Sequence, residues 1–168
     1  VFQFEGDYAF SLLKDFKPNT INHMSMVNAA LRPSGKSYRD RMIAGEHNDN
    51  PSKEIDDLLA SNNGYLIFQE DTIKFLTDIC GFTGSAADTT RRAIGKKDKE
   101  LLKQQLPKIL EGYCSHSSQP RAKAEEEAKQ FVQIVQDSSE YQFGYNHSTA
   151  YSMNGYECVW LRTYHTIE

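Results

Sequence analysis

At 168 residues, 39% hydrophobic and 11% aromatic, the chain is long enough for one domain with a real core. A net charge of −4 argues against general adhesion to nucleic acid, and no apolar run approaches the roughly 20 residues that span a bilayer. Three widely spaced cysteines, Cys80, Cys114 and Cys158, form no Cys-x-x-Cys pair and read as reduced thiols of a cytoplasmic protein.

The start, VFQFEGDYAF, has neither the basic region nor the long apolar core of a signal peptide. Val1 opens inside an apolar pattern, as expected of a chain cut from a longer one. Gly6 and Asp7 precede YAFSLLKDF, whose apolar residues recur at helical spacing, and Pro18 and Asn19 end it. Thr20 caps a second helix, INHMSMVNAAL, which stops before Pro33. A short third helix within SGKSYRDRMIAGEHN ends near Gly45. NDNPSKEIDDLLASNNG reads as a loop, then a helix with Pro51 near its start, then an Asn-Asn-Gly stop. YLIFQ is strand-like in composition. In QEDTIKFLTDICGF, however, Ile73, Leu76, Ile79 and Cys80 share a helical face, which favours helix from about Phe68.

Ser85 is expected to begin the next helix and Gly95 to end it. Asp98 caps KELLKQQLPKILEGYC, where Pro107 should kink or divide the helix. SHSSQP is a turn. RAKAEEEAKQFVQIVQ is helical, with a solvated acidic first half and an apolar second half. A break at FGYNHS precedes a last long helix to about His165. In that helix Met153, Trp160, Tyr164 and Ile167 form an apolar stripe with Leu161 beside it, expected to be core. His147, Tyr151, Gly155, Cys158 and Arg162 lie along another face, and Gly155 suggests that something approaches closely there. The expected fold class is all-α: an irregular multi-helix domain with a long C-terminal helix, one unit over residues 1–168.

Charge is distributed unevenly. From Thr89 to Lys108 there are seven basic and two acidic residues, a net of +5 inside an acidic chain. The helix SAADTTRRAIG has only Ala86, Ala87, Ala93 and Ile94 as apolar content, a thin face for core packing. Arg92 and Lys96 are four apart and share a face if the last turn holds, while Arg91 points about 100° away. With Lys97, these cations suit an anion of several charges, since arginine brings forked donors and lysine mobile point charges. A solvated face remains open as the plainer reading. Lysines beyond a helix C-terminus favour the dipole by themselves, and Asp88 is placed to pair with Arg92. No Gly-x-x-x-x-Gly-Lys loop is present.

Metal-ligand patterns are thin. Asp56 and Asp57 sit on a solvated helix, Glu125 to Glu127 form a charged run, and Glu5 and Asp7 lack a third partner. Cys114 and His116 alone make a poor zinc site. The residues offer cations for phosphate without a catalytic set or a metal site.

Four motifs in order carry a family resemblance: "VFQFEGDYAFSLLKDFKP", "MVNAALRPSG", "NNGYLIFQEDTIKFLTDICGFTGSAADTTRRAIGKK" and "FGYNHSTAYSMNGYECVWLRTYH". Together they resemble the fingers region of the bacterial DNA polymerase III alpha subunit, a C-family polymerase, over essentially the whole chain. The third is similar to that family's Arg-Arg-Ala-Met-Gly-Lys-Lys motif. Two departures stand out: Asn-Lys-Ser-His-Ser is shortened to "NHS" at Asn146 and His147, and "LRPSGK" around Arg32 and Pro33 replaces Arg-Pro-Gly-Pro. Such divergence suits a phage-type member.

The resemblance implies a DNA-directed DNA polymerase acting in DNA replication, with this chain as its fingers. It implies that Arg91, Arg92, Lys96 and Lys97 bind the triphosphate of the incoming deoxynucleotide. It further implies that His147 and Tyr151 face the nascent base pair, on an open surface on the side of those cations. The catalytic aspartates and their Mg2+ would belong to a palm outside this chain, so the fragment alone should be inactive and carry no cofactor. Implied partners are the deoxynucleoside triphosphate, primer-template DNA and the palm and other domains of the parent polymerase, with no membrane. The rival reading is a helical protein-interaction module whose basic patch meets an acidic protein.

Overall fold

The computed structural model describes residues 4–31, 36–139 and 142–165, and the regular elements among them are all helical, as the expected all-α class requires. Arg32, Pro33 and Ile167 lie outside the described residues. The chain forms two compact units, residues 1–47 with 143–168, and residues 48–142.

The first unit contains α1 (Asp7–Phe16), α2 (Ile21–Ala30), α3 (Lys36–Ile43) and α9 (Tyr145–Tyr164). Thr20 caps α2 as its sequence predicts, its hydroxyl accepting from the His23 N–H at 3.0 Å. α2 is buried along Ser25–Ala30. Its partner across the seam is the Ser148, Ser152, Gly155 face of α9. Hydroxyls hold this seam together. Across it Ser148 Oγ donates to the Ser25 carbonyl at 2.7 Å and Asn28 Nδ2 to the Ser148 carbonyl at 3.3 Å, while within the helices Ser152 Oγ donates to the Ser148 carbonyl at 2.8 Å and Ser25 Oγ to the Ile21 carbonyl at 2.9 Å. Small side chains let the two backbones approach, and each buried hydroxyl finds a carbonyl, which removes the cost of burying it.

Here the structure departs from the expectation for α9. Met153 and Trp160 are 49% and 42% exposed, and Leu161 and Tyr164 are more exposed still, so the apolar stripe is not the core of this unit. The serine face is buried instead. FGYNHS is also not a break throughout, because α9 already begins at Tyr145. The suspicion about Gly155 has a concrete cause: a Cβ there would stand 3.0 Å from the Phe4 ring.

The second unit contains α4 (Lys53–Leu58), α5 (Gln69–Lys74), α6 (Gly84–Gly95), α7 (Lys99–His116) and α8 (Arg121–Ser138). Its core gathers Ile55, Leu59, Phe75, Leu76, Ile109 and Phe131, all fully buried. Tyr65 to Phe68 run buried before α5, which starts at Gln69 because the Asp71 carboxylate accepts from the Phe68 N–H at 2.9 Å. Asp71 also accepts from Asn62 Nδ2 at 2.9 Å. Burial nevertheless pushes the Asp71 carboxyl up to about 6, against the lowering effect of the Phe68 N–H. Beyond α5 the chain widens into a π-helical turn, Phe75–Ile79. Cys80 follows, and burial pushes its thiol up to about 12, which makes it an inert packing residue.

α7 runs without interruption through Pro107, so the proline does not divide it. The glycine at 112 explains how α7 lies so near the π turn: a Cβ there would fall 2.0 Å from the Cys80 carbonyl oxygen. The acidic run of α8 is not wholly solvated either. Glu127 is buried, with its Oε2 3.1 Å from the Tyr113 hydroxyl, which in turn lies 2.7 Å from Ser52 Oγ. Burial, first, raises the Tyr113 hydroxyl pKa, so this phenol stays neutral.

Candidate functional site

α6 carries the arginines. Thr83 caps it, its hydroxyl accepting from the Ala86 N–H at 3.4 Å, so the helix begins at Gly84, one residue earlier than expected. Ala87, Thr90, Ala93 and Ile94 are buried, so the thin apolar face is nonetheless a full packing face against α5, α7 and α8. Helical periodicity then turns Asp88 and Arg92 outward, with Arg91 at the boundary. The side chain of Arg91 is 17% exposed and that of Arg92 is 65% exposed.

Asp88 organises both arginines, whereas the sequence suggests only the Arg92 pairing. Its Oδ1 accepts from Arg91 Nη2 at 2.9 Å and from Arg91 Nε at 3.3 Å. Its Oδ2 accepts from Arg92 Nε at 2.9 Å and lies 2.9 Å from Arg92 Nη2. Residues three and four positions along a helix meet one turn away, which is why one carboxylate reaches both. These bonds, Arg91 first, hold the Asp88 carboxyl below the usual carboxylate range.

The helix ends in an unusual way. The Asp98 N–H donates to the Ala93 carbonyl at 3.1 Å and the Lys97 N–H to the Ile94 carbonyl at 3.0 Å, a Schellman closure. The residue that must adopt the left-handed conformation in such a closure is commonly glycine; here it is Lys97, with φ 54°. Lys96 and Lys97 are exposed on this turn. Asp98 then caps α7, accepting from the Leu101 N–H at 3.1 Å. Arg91 and Arg92 thus reach back along the C-terminal half of α6 to Asp88, while Lys96 and Lys97 stand exposed on its closing turn. A groove of about 830 Å³ lies at the other end of α6, lined in part by Thr83, Thr89, Lys108 and Gly112. The sequence gives no sign of it.

His147 and Tyr151 belong to the first unit. His147 stands between two rings, with Phe143 at 5.1 Å edge-on and Tyr151 at 4.7 Å tilted. His147 is exposed and Tyr151 is half-buried, and Tyr151 does not pack into a core with Trp160 and Met153. Among the described residues no three of His, Cys, Asp and Glu converge as metal ligands, and no helix is long and apolar enough to cross a membrane.

Residues 1–117 match the model of the bacterial DNA polymerase III alpha subunit finger domain. The chain belongs to that family. The match includes α6 and the whole basic cluster. Beyond it, similarity to whole polymerase subunits extends over nearly all of this finger chain. The DNA polymerase III subunit alpha of Thermotoga maritima is 31% identical over 169 residues, covering 100% of this chain and 19% of its own length. That of Aquifex aeolicus is 30% identical over 174 residues, covering 100% of this chain and 15% of its own length. That of Halalkalibacterium halodurans is 28% identical, covering 98% of this chain and 15% of its own length. The finger chain therefore spans less than a fifth of the length of these relatives.

Proposed function

We propose that this chain is the fingers part of a DNA-directed DNA polymerase and that the end of α6 binds the triphosphate of the incoming deoxynucleotide. The observation that carries this reading is the placement of Arg91, Arg92, Lys96 and Lys97 along the C-terminal half and closing turn of one helix, inside the segment matched by the finger-domain family. Two planar forks and two flexible ammonium groups answer a ligand with charge spread over several oxygens. His147 and Tyr151, an exposed ring and a half-buried one 4.7 Å apart and inclined at 56°, offer aromatic surface against which a base could pack.

Three carboxylates are engaged in other ways, Asp71 with the cap of α5, Glu127 with Tyr113 and Asp88 with the arginines, and among the described residues no three His, Cys, Asp or Glu side chains converge. These described carboxylates offer no Mg2+ pair, and the reading places the metal in a palm outside this chain, with primer-template DNA, in the cytoplasm. The contribution of this chain to nucleotidyl transfer is then positioning and charge neutralisation.

Titration with inorganic triphosphate and with monophosphate tests the reading. Triphosphate should protect residues 91–97 from proteolysis and monophosphate should not. The purified chain with magnesium should extend no primer. The rival, a protein-interaction module, gains support from the saturation of Asp88 by both arginines, an arrangement that holds without any ligand. Protection by an acidic peptide at equal charge, with none by triphosphate, decides for the rival.

A further inference from the structure

We propose that Asp88 is the positioning residue of the nucleotide site: it fixes both guanidinium groups by their inner edges so that the outer edges are presented together to the triphosphate. This rests on the functional reading above.

The geometry points to it in three steps. First, Asp88 meets each arginine on the same edge, through Nε and Nη2. The Nη1 side of each guanidinium makes no hydrogen bond among the described residues. A guanidinium has five donors, so one edge can be held while another binds. Second, Asp88 is partnered by these two arginines and only by them among the described residues, so it serves no cap and no second network. Third, the two arginines leave the helix about 100° apart, and an unheld pair would diverge. One carboxylate reaching back from the preceding turn draws them to a common point.

A carboxylate beside an anion site has two opposed effects. Its negative charge repels the ligand. Its hydrogen bonds restrict two long side chains, whose rotamer freedom would otherwise be lost on binding. The repulsion is weakened by exposure, because Asp88 keeps 36% of its side-chain surface in solvent. The ordering effect has no such screening, so pre-organisation should win. The two effects predict opposite signs for the same substitution, which makes the inference testable.

The test uses the 168-residue chain with inorganic triphosphate as the probe, comparing Asp88→Asn, Asp88→Glu and an Arg91→Ala/Arg92→Ala double variant. Binding is followed by calorimetry and the two arginine Nε–H groups by NMR. Asp88→Asn should weaken triphosphate binding about tenfold, and the Arg91 and Arg92 Nε–H signals should lose their slow exchange before ligand is added. Asp88→Glu should recover part of both. Circular dichroism should show each variant folded, because Asp88 faces away from the core. If Asp88→Asn binds as tightly as the original or more tightly, while the double arginine variant loses binding, Asp88 is a mere competitor and this inference falls alone. If neither Asp88→Asn nor the double variant alters binding, or the original chain fails to bind at millimolar triphosphate, the nucleotide-site reading falls with it.

Discussion

α6 buries Ala87, Thr90, Ala93 and Ile94 and holds Arg91 at its boundary and Arg92 outside on one carboxylate; α9 buries Ser148, Ser152 and Gly155 and keeps His147 between two rings. α6 is seated by aliphatic contact in a dense core, while α9 meets α2 through small side chains, the Ser148 hydroxyl bonded to the Ser25 carbonyl and the Asn28 amide to the Ser148 carbonyl. The pairing teaches that apolar content along a helix is a poor guide to which face is buried. α6 has little and is well packed; α9 has much and shows it to solvent. Contacts in the second unit should therefore be less tolerant of added volume than those in the first.

Two glycines break or sharpen that contrast most directly. Gly112→Ala should be the most damaging change, destabilising by about 3 kcal/mol or more, because its Cβ would meet a backbone carbonyl oxygen at 2.0 Å and the α7 axis would have to shift. Gly155→Ala places a Cβ 3.0 Å from the Phe4 ring, whose side chain can turn away. The better helix propensity of alanine, worth ~1 kcal/mol, should offset most of that. Urea unfolding of both variants decides the matter: equal losses, or a larger one at Gly155, would remove the contrast.

The buried carboxyl of Asp71 gives the second unit a pH dependence of its own. Between about pH 4 and pH 6, a carboxyl raised from 3.8 to about 6 is protonated in the folded state while it is ionised in the unfolded one. The stability it contributes is thus present below about pH 4 and lost as pH rises through 6, at most roughly 3 kcal/mol. Asp71→Asn does not titrate, so its stability deficit relative to the original chain should shrink between pH 4 and pH 7. A deficit that grows over that interval would mean that the two N–H donors, and not burial, set the state of this carboxyl.

The arginines come next. In a polymerase carrying this finger chain, Arg91→Ala or Arg92→Ala should each lower kcat/KM for the nucleotide by about 10- to 150-fold, the loss of roughly 1.5–3 kcal/mol for a charge-assisted contact. A variant with normal nucleotide kinetics but a lowered melting temperature would assign α6 to structure alone and make it equivalent to α9 in the comparison.

How much of this is legible in the residues depends on how local the cause is. Thr20 and Asp98 can be read as caps because a cap is a matter of three neighbouring residues. The arginine–lysine cluster is legible for the same reason, and so is half of its link to Asp88. The burial of Glu127 is not, because it depends on the Tyr113 hydroxyl from a different helix. Nor is the serine seam, because a run of Ser148 and Ser152 reads as solvent-facing until Ser25 and its carbonyl are known to lie opposite. Gly155 can be flagged from helix propensity, but that Phe4 is what fills the space requires the fold.

Lys97 offers the smallest effect and the finest test. A non-glycine residue at φ 54° costs roughly 1–2 kcal/mol, while glycine gives back about 0.4–1 through its freer unfolded chain. Lys97→Gly should therefore stabilise the chain by about 0.5–1 kcal/mol over Lys97→Ala, which removes the same side chain but keeps the strained backbone. Comparing those two variants isolates the backbone from whatever the ammonium group contacts. Both should weaken triphosphate binding equally if Lys97 serves the ligand with its side chain. Strain held at a helix end for the sake of a ligand is then visible as a glycine that improves the fold and impairs the site. If Lys97→Gly binds triphosphate as well as the original chain, the left-handed lysine belongs to the turn and not to the cluster, and three cations remain to meet the phosphates.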